Sequence, residues 1–116
     1  MDADLFLSIH NNAYYASSTG TETFYFTTPQ IRNGVSAGLF AQILQKHMLS
    51  ELGTYNRGVK QNTFSVLRYA QMPSALVEIA FLTNTSDVAK LKDPAFRQKA
   101  ANALYKAINE TLSGMK

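Results

Sequence analysis

Ser74-Ala75-Leu76-Val77-Glu78-Ile79-Ala80-Phe81-Leu82, preceded by Met72-Pro73 and closed by Thr83-Asn84, is the stretch on which the reading of this chain turns. A short, continuous apolar run bounded by a proline and by polar turn residues is the pattern of a strand buried inside a sheet. One acidic residue, Glu78, lies in its interior. An ionised carboxylate is costly to bury there unless it is paired, protonated or facing a polar cleft. Two readings stay open: desolvation raises its pKa toward the range of a general base, or it forms a salt bridge to Arg57 or Arg68.

Upstream, Leu5-Phe6-Leu7-Ser8-Ile9 is a second buried-strand pattern, ending in His10-Asn11-Asn12. A histidine directly after a strand is aimed by a fixed backbone, as a zinc site requires of its nitrogen ligands, or it is a hydrogen-bonded structural residue. Glu22 to Thr27 gives another strand, and the Ser/Thr/Gly-rich Ala16 to Gly20 a loop. Val35, Leu39, Ile43, Leu44, Met48 and Leu52 recur at helical spacing, with Ser36 as N-cap and Gly53 as C-terminal stop. His47 falls in that pattern as a partly exposed helix residue. The polar stretch Thr54 to Thr63 reads as a loop and Phe64 to Arg68 as a short extended piece.

Downstream, a short helix begins near Ser86 and a longer one at Asp93-Pro94, where Asp caps and Pro suits the first helical position. Its core face is Phe96, Ala100, Leu104, Ala107, Ile108 and Leu112, and it ends before Gly114. Strands alternating with helices predict an α/β fold: a mostly parallel, twisted sheet flanked by helices, with function gathered at the carboxyl ends of strands.

Composition bounds the rest. At 116 residues and 46% hydrophobic content, the chain is expected to form a single domain over 1–116. The net charge of +3 is scattered and not clustered, which argues against a nucleic-acid partner. With no cysteine, thiolate metal sites and cysteine nucleophiles are excluded, so any metal must use His and carboxylates. No apolar stretch is long enough to span a bilayer, and Met1 precedes Asp2 and Asp4 where a signal peptide has a basic n-region.

The segments Ala3 to Ala13, Gly20 to Phe26, Asn56 to Lys60, Val66 to Arg68 and Pro73 to Asn84 together, in that order, resemble the cell-wall amidase family known as amidase type 3. The resemblance implies a zinc-dependent N-acetylmuramoyl-L-alanine amidase, cutting the amide between N-acetylmuramic acid and L-alanine in peptidoglycan. It implies that His10 is a zinc ligand and Glu78 the catalytic carboxylate, with a cell-envelope or extracellular location for the parent protein. Glu22, Arg57 and Arg68 fall within matched motifs and either line the substrate groove or hold loops together by ion pairs.

The departures shape the expectation equally. The family's other two zinc ligands lie upstream of the first matched motif and have no counterpart here. Asn11 stands where the family usually has Ala, and Ala80 where it usually has Gly. The resemblance therefore implies a C-terminal portion of a catalytic domain, roughly its last two thirds. The sheet is expected to be incomplete at its N-terminal end, completed by self-association or by an upstream segment. Little activity is expected in isolation, and the alternative is a catalytically inert peptidoglycan-binding or regulatory module.

Overall fold

The computed structural model describes residues 2–116. Its frame is a four-stranded sheet in the order β1 (Phe6–Asn12), β6 (Ser74–Phe81), β2 (Thr21–Phe26) and β5 (Asn56–Asn62). β1 runs parallel to β6 and β2 parallel to β5, while β2 and β6 are antiparallel. The sheet is thus mostly parallel, and helices flank it as the sequence predicts.

β6 is buried at every position, which its continuous apolar run requires of a central strand. β1 carries a similar run but is an edge strand, with Phe6 and Ile9 exposed, Ile9 at 54%. The expectation of a buried strand fails there because β1 pairs only with β6 among the described residues. A second correction concerns Thr54 to Thr63: most of it is β5, an edge strand whose polar side chains meet water instead of alternating with apolar ones. A third is that Ser65–Arg68 forms the short helix α2, not an extended piece.

One face of the sheet is covered by α1 (Ala37–Leu52) and α4 (Pro94–Ser113). Phe40, Leu44 and Met48 of α1 and Phe96, Ala103 and Ala107 of α4 pack with Ala75, Val77 and Ile79 of β6 in the main core. Leu39 and Leu112, both assigned to helix core faces from their spacing, are exposed. The caps form as read: Ser36 Oγ accepts from the Leu39 amide, Gly53 takes φ 62°, and Asp93 caps α4 ahead of Pro94. The side chain of Gln45, buried in α1, accepts from Thr23 Oγ1 and donates to the Thr21 carbonyl, fixing the helix to the back of β2.

The opposite face holds a smaller apolar cluster of Phe24, Phe26, Leu67 and Leu76, with Phe64 packed edge-on against Phe24. A two-residue hairpin, β3 (Ile31–Arg32) and β4 (Val35–Ser36), turns at Asn33-Gly34, both at positive φ. The remaining helix, α3 (Thr85–Lys92), follows β6 and is capped by Asn84.

Candidate active site

Two irregularities in the strand ladder build the site. His10 pairs with Glu78 but Asn12 with Phe81, so β6 carries one more residue than β1 over that span. Thr21 pairs with Asn56 but Thr23 with Val59, so β5 likewise carries one more than β2. An extra residue reverses the alternation of faces beyond it. Glu78 and Phe81 therefore both face one groove, as do Arg57 and Lys60. Gly58, at φ 87°, supplies the left-handed backbone that the second bulge uses.

The groove has a volume of about 540 Å³, within the size range of small-ligand clefts. Its polar wall is Asn12, Glu22, Arg57, Lys60, Asn62 and Glu78, and Tyr14, Phe24, Phe64 and Phe81 supply its aromatic surface. Glu78 on β6 and Glu22 on β2, both lining the groove, belong to a row of three directly paired positions that His10 on β1 completes at its edge. Directly paired residues present their side chains on the same face, about 5 Å apart. His10 and Glu78, 68 positions apart in the chain, are thus immediate neighbours. His10 is exposed and stands beside the groove, not among its lining residues.

The two carboxylates of this row differ in their surroundings. Glu22 is 4% exposed and both its oxygens are occupied. Oε1 accepts from Asn12 Nδ2 at 2.7 Å, and Oε2 accepts from Lys60 Nζ at 2.5 Å with Arg57 Nε 3.4 Å away. Glu78 is 8% exposed, and its Oε2 is buried without a hydrogen-bond partner. Burial pushes the Glu78 carboxyl above its ordinary range; His10 pulls it partly back and Glu22 adds to the rise. The salt-bridge alternative for Glu78 is not what the structure shows: Arg57 pairs with Glu22, and Arg68 lies 6.0 Å over the ring of Phe26, outside the groove lining.

Arg57 is held from three sides. Its guanidinium carbon sits 4.7 Å over the Phe81 ring, Nη1 donates to the Thr19 carbonyl, and Nε faces Glu22. Buried Asp87, in the first turn of α3, ties together the segments behind it. Its carboxylate accepts from Thr19 Oγ1, the Gly20 amide and the Phe81 amide, joining the start of β2 to the end of β6.

The donor set tests for a metal. A catalytic zinc takes three protein donors and leaves one position open. Among the described residues no group of three His, Cys, Asp or Glu side chains is placed to hold an ion. Glu22, the third member of the row, is already engaged by Asn12, Lys60 and Arg57. His10 and Glu78 alone therefore do not make a zinc site.

The family described as N-acetylmuramoyl-L-alanine amidase matches residues 1–110. The chain belongs to that amidase family. It is 49% identical over 104 residues to the N-acetylmuramoyl-L-alanine amidase LytC of Bacillus subtilis (strain 168), a match covering 89% of this chain and 20% of LytC. Among solved structures, it superposes with a TM-score of 0.88 at 31% identity on the N-acetylmuramoyl-L-alanine amidase from Clostridium difficile 630. The catalytic domain of CwlV, from Bacillus (Paenibacillus) polymyxa var. colistinus, gives 0.84 at 32%. Each alignment covers 96% of this chain and 59% of the solved chain.

Lys60, Asn12 and Phe81 are groove residues that sequence reasoning did not assign to the site, as are Tyr14, Phe24, Asn62 and Phe64. Lys60 sits in a stretch read as a loop, so nothing marked it as facing Glu22. The one available signal was Asn56-Arg57-Gly58, where a glycine inside a strand marks a bulge.

Proposed function

We propose that this site takes part in hydrolysis of the amide between N-acetylmuramic acid and L-alanine in peptidoglycan, at the cell envelope or outside the cell. The observation that carries the reading is the Glu78 carboxylate, buried in a groove beside His10 with one oxygen unpartnered. An acceptor in that state is placed to take a proton from a water attacking the scissile carbonyl and to return one to the departing amine. Glu22, hydrogen-bonded by Asn12 and Lys60 and ion-paired with Arg57, serves instead to hold these three side chains around the groove. In a zinc-assisted version of this reaction His10 would be the nitrogen donor, and further donors would have to come from outside residues 2–116.

A second reading, an inert wall-binding module, is favoured by one observation: the absence of a three-donor group among the described residues. Incubating the chain with purified walls, with and without added zinc, separates the two. Release of stem peptide that disappears in Glu78→Ala supports hydrolysis. Sedimentation with walls by metal-free chain, with no peptide released under either condition, supports the binder.

A further inference from the structure

The groove is electrically lopsided. On the β5 side, two cations, Arg57 and Lys60, share the single carboxylate of Glu22, one of whose oxygens is also taken by Asn12. One positive charge is left uncompensated there. Donors are left over as well: Lys60 uses one of its three N–H groups on Glu22, and among the described residues Arg57 donates a hydrogen bond only from Nη1, to the Thr19 carbonyl, while its buried Nε faces Glu22 without one. Arg57 is also preorganised by Phe81 and the Thr19 carbonyl, so little entropy remains to be lost when it engages a ligand. The other orphaned buried side-chain atom among the described residues, Glu78 Oε2, lies on the β6 side of the same groove. An unmatched acid and unmatched cations, two strands apart, call for a ligand with a reacting amide at one end and an anion at the other.

Resting on the amidase reading above, we infer that Arg57 and Lys60 form a carboxylate-recognising subsite for the stem peptide. The groove thereby selects stems with a free carboxylate close to the scissile bond over stems in which that group is amidated. The spacing sets where that carboxylate lies. Two strand separations are about 10 Å, which an extended peptide spans in about three residues. The stem therefore runs from Glu78 toward β5, and its selected carboxylate falls within the first three or so residues. A carboxylate suits this position because an arginine fork and an adjacent ammonium offer charge-assisted hydrogen bonds that a neutral carboxamide cannot match.

The test is binding of two soluble muramoyl peptides that differ only in whether the second residue carries a free carboxylate or a carboxamide, followed by calorimetry at low and high salt. The expected result is roughly tenfold tighter binding of the acidic form, a ratio that shrinks at high salt. Lys60→Gln, whose side chain is 45% exposed and dispensable to the core, is expected to bring the ratio close to one. Arg57→Gln is expected to do the same and is paired with a thermal melt, since Arg57 also packs on Phe81. Equal affinities in the unmodified chain overturn the subsite, as does a preference that survives Lys60→Gln or binding of neither peptide. A chain that releases stem peptide from walls without this preference overturns the subsite and leaves the amidase reading standing; one that neither binds nor cuts any wall preparation overturns both.

Discussion

Glu22 and Glu78 are paired across two strands and nearly equal in burial, yet their environments predict opposite responses to the same substitution. Glu22 is the one carboxylate that two cations share, and it also accepts from Asn12, so Glu22→Gln leaves Arg57 and Lys60 without their anion. Loss of a buried, hydrogen-bonded charge from such a network is expected to cost about 2 kcal/mol, discounted because both cations reach solvent. Glu78 has an unpartnered oxygen, suffers desolvation and faces a like charge directly opposite, an arrangement that destabilises a sheet. Glu78→Gln is therefore expected to stabilise the fold by about 1 kcal/mol at pH 7 while removing the carboxylate on which the proposed hydrolysis depends. Urea midpoints of the two variants against the unmodified chain check both signs, and destabilisation by Glu78→Gln would show that its carboxylate has a partner. Glu78 was legible in the sequence because a charge inside an apolar run stands out. Lys60 was not, because a lysine in a polar stretch carries no mark of the carboxylate it will meet.

At the scale of the elements, β6 and β1 show where a pattern stops informing. Both are apolar runs of strand length, but one is central and the other an edge, and strand order is decided by partners that local periodicity does not reveal. The helix caps were readable because their chemistry is local: Ser36, Gly53 and Asp93 act within a few residues of where they stand. β5 was missed because an edge strand with polar residues lacks alternation, and the bulges were missed because an inserted residue has no residue type of its own. Two glycines make the role of these junctions testable. Gly58 has a positive φ and open space around its missing Cβ, so Gly58→Ala meets only backbone strain, about 1 kcal/mol. Gly20 also has a positive φ, and a Cβ there would run into the Tyr55 carbonyl oxygen, which accepts the Thr21 amide. Gly20→Ala is expected to cost about 3 kcal/mol or more, since strain and overlap add and neither neighbour is a flexible side-chain tip. Denaturant unfolding of the pair should rank Gly20→Ala well below Gly58→Ala; the reverse order would mean that the β5 bulge, not the β2 entry, is the tighter junction.

For the molecule as a whole, the groove and the two long helices lie on opposite faces of one sheet, so the helix layer supports the site without lining it. That layer is closed at its outer side by charges. Lys46 and His47 of α1 both contact Glu110 of α4, and Lys106 of α4 contacts Glu51 of α1. The Glu110 carboxyl is held below its ordinary range, first by the hydrogen bond from Lys46 at 2.8 Å and next by that from His47 at 2.9 Å. A carboxyl depressed in the folded state stabilises the fold above its unfolded value, near 4.5 for Glu110, and that contribution is lost as pH falls through the folded value. Glu110→Gln removes the contribution at every pH. The variant is therefore expected to show a lower urea midpoint than the unmodified chain at pH 7, and the gap is expected to close as pH drops below the ordinary carboxylate range. Added salt should narrow the pH 7 gap too, because these pairs are solvent-exposed and screened. A gap that persists undiminished in acid would mean that Glu110 joins α1 to α4 through the packing of its side chain and not through its charge.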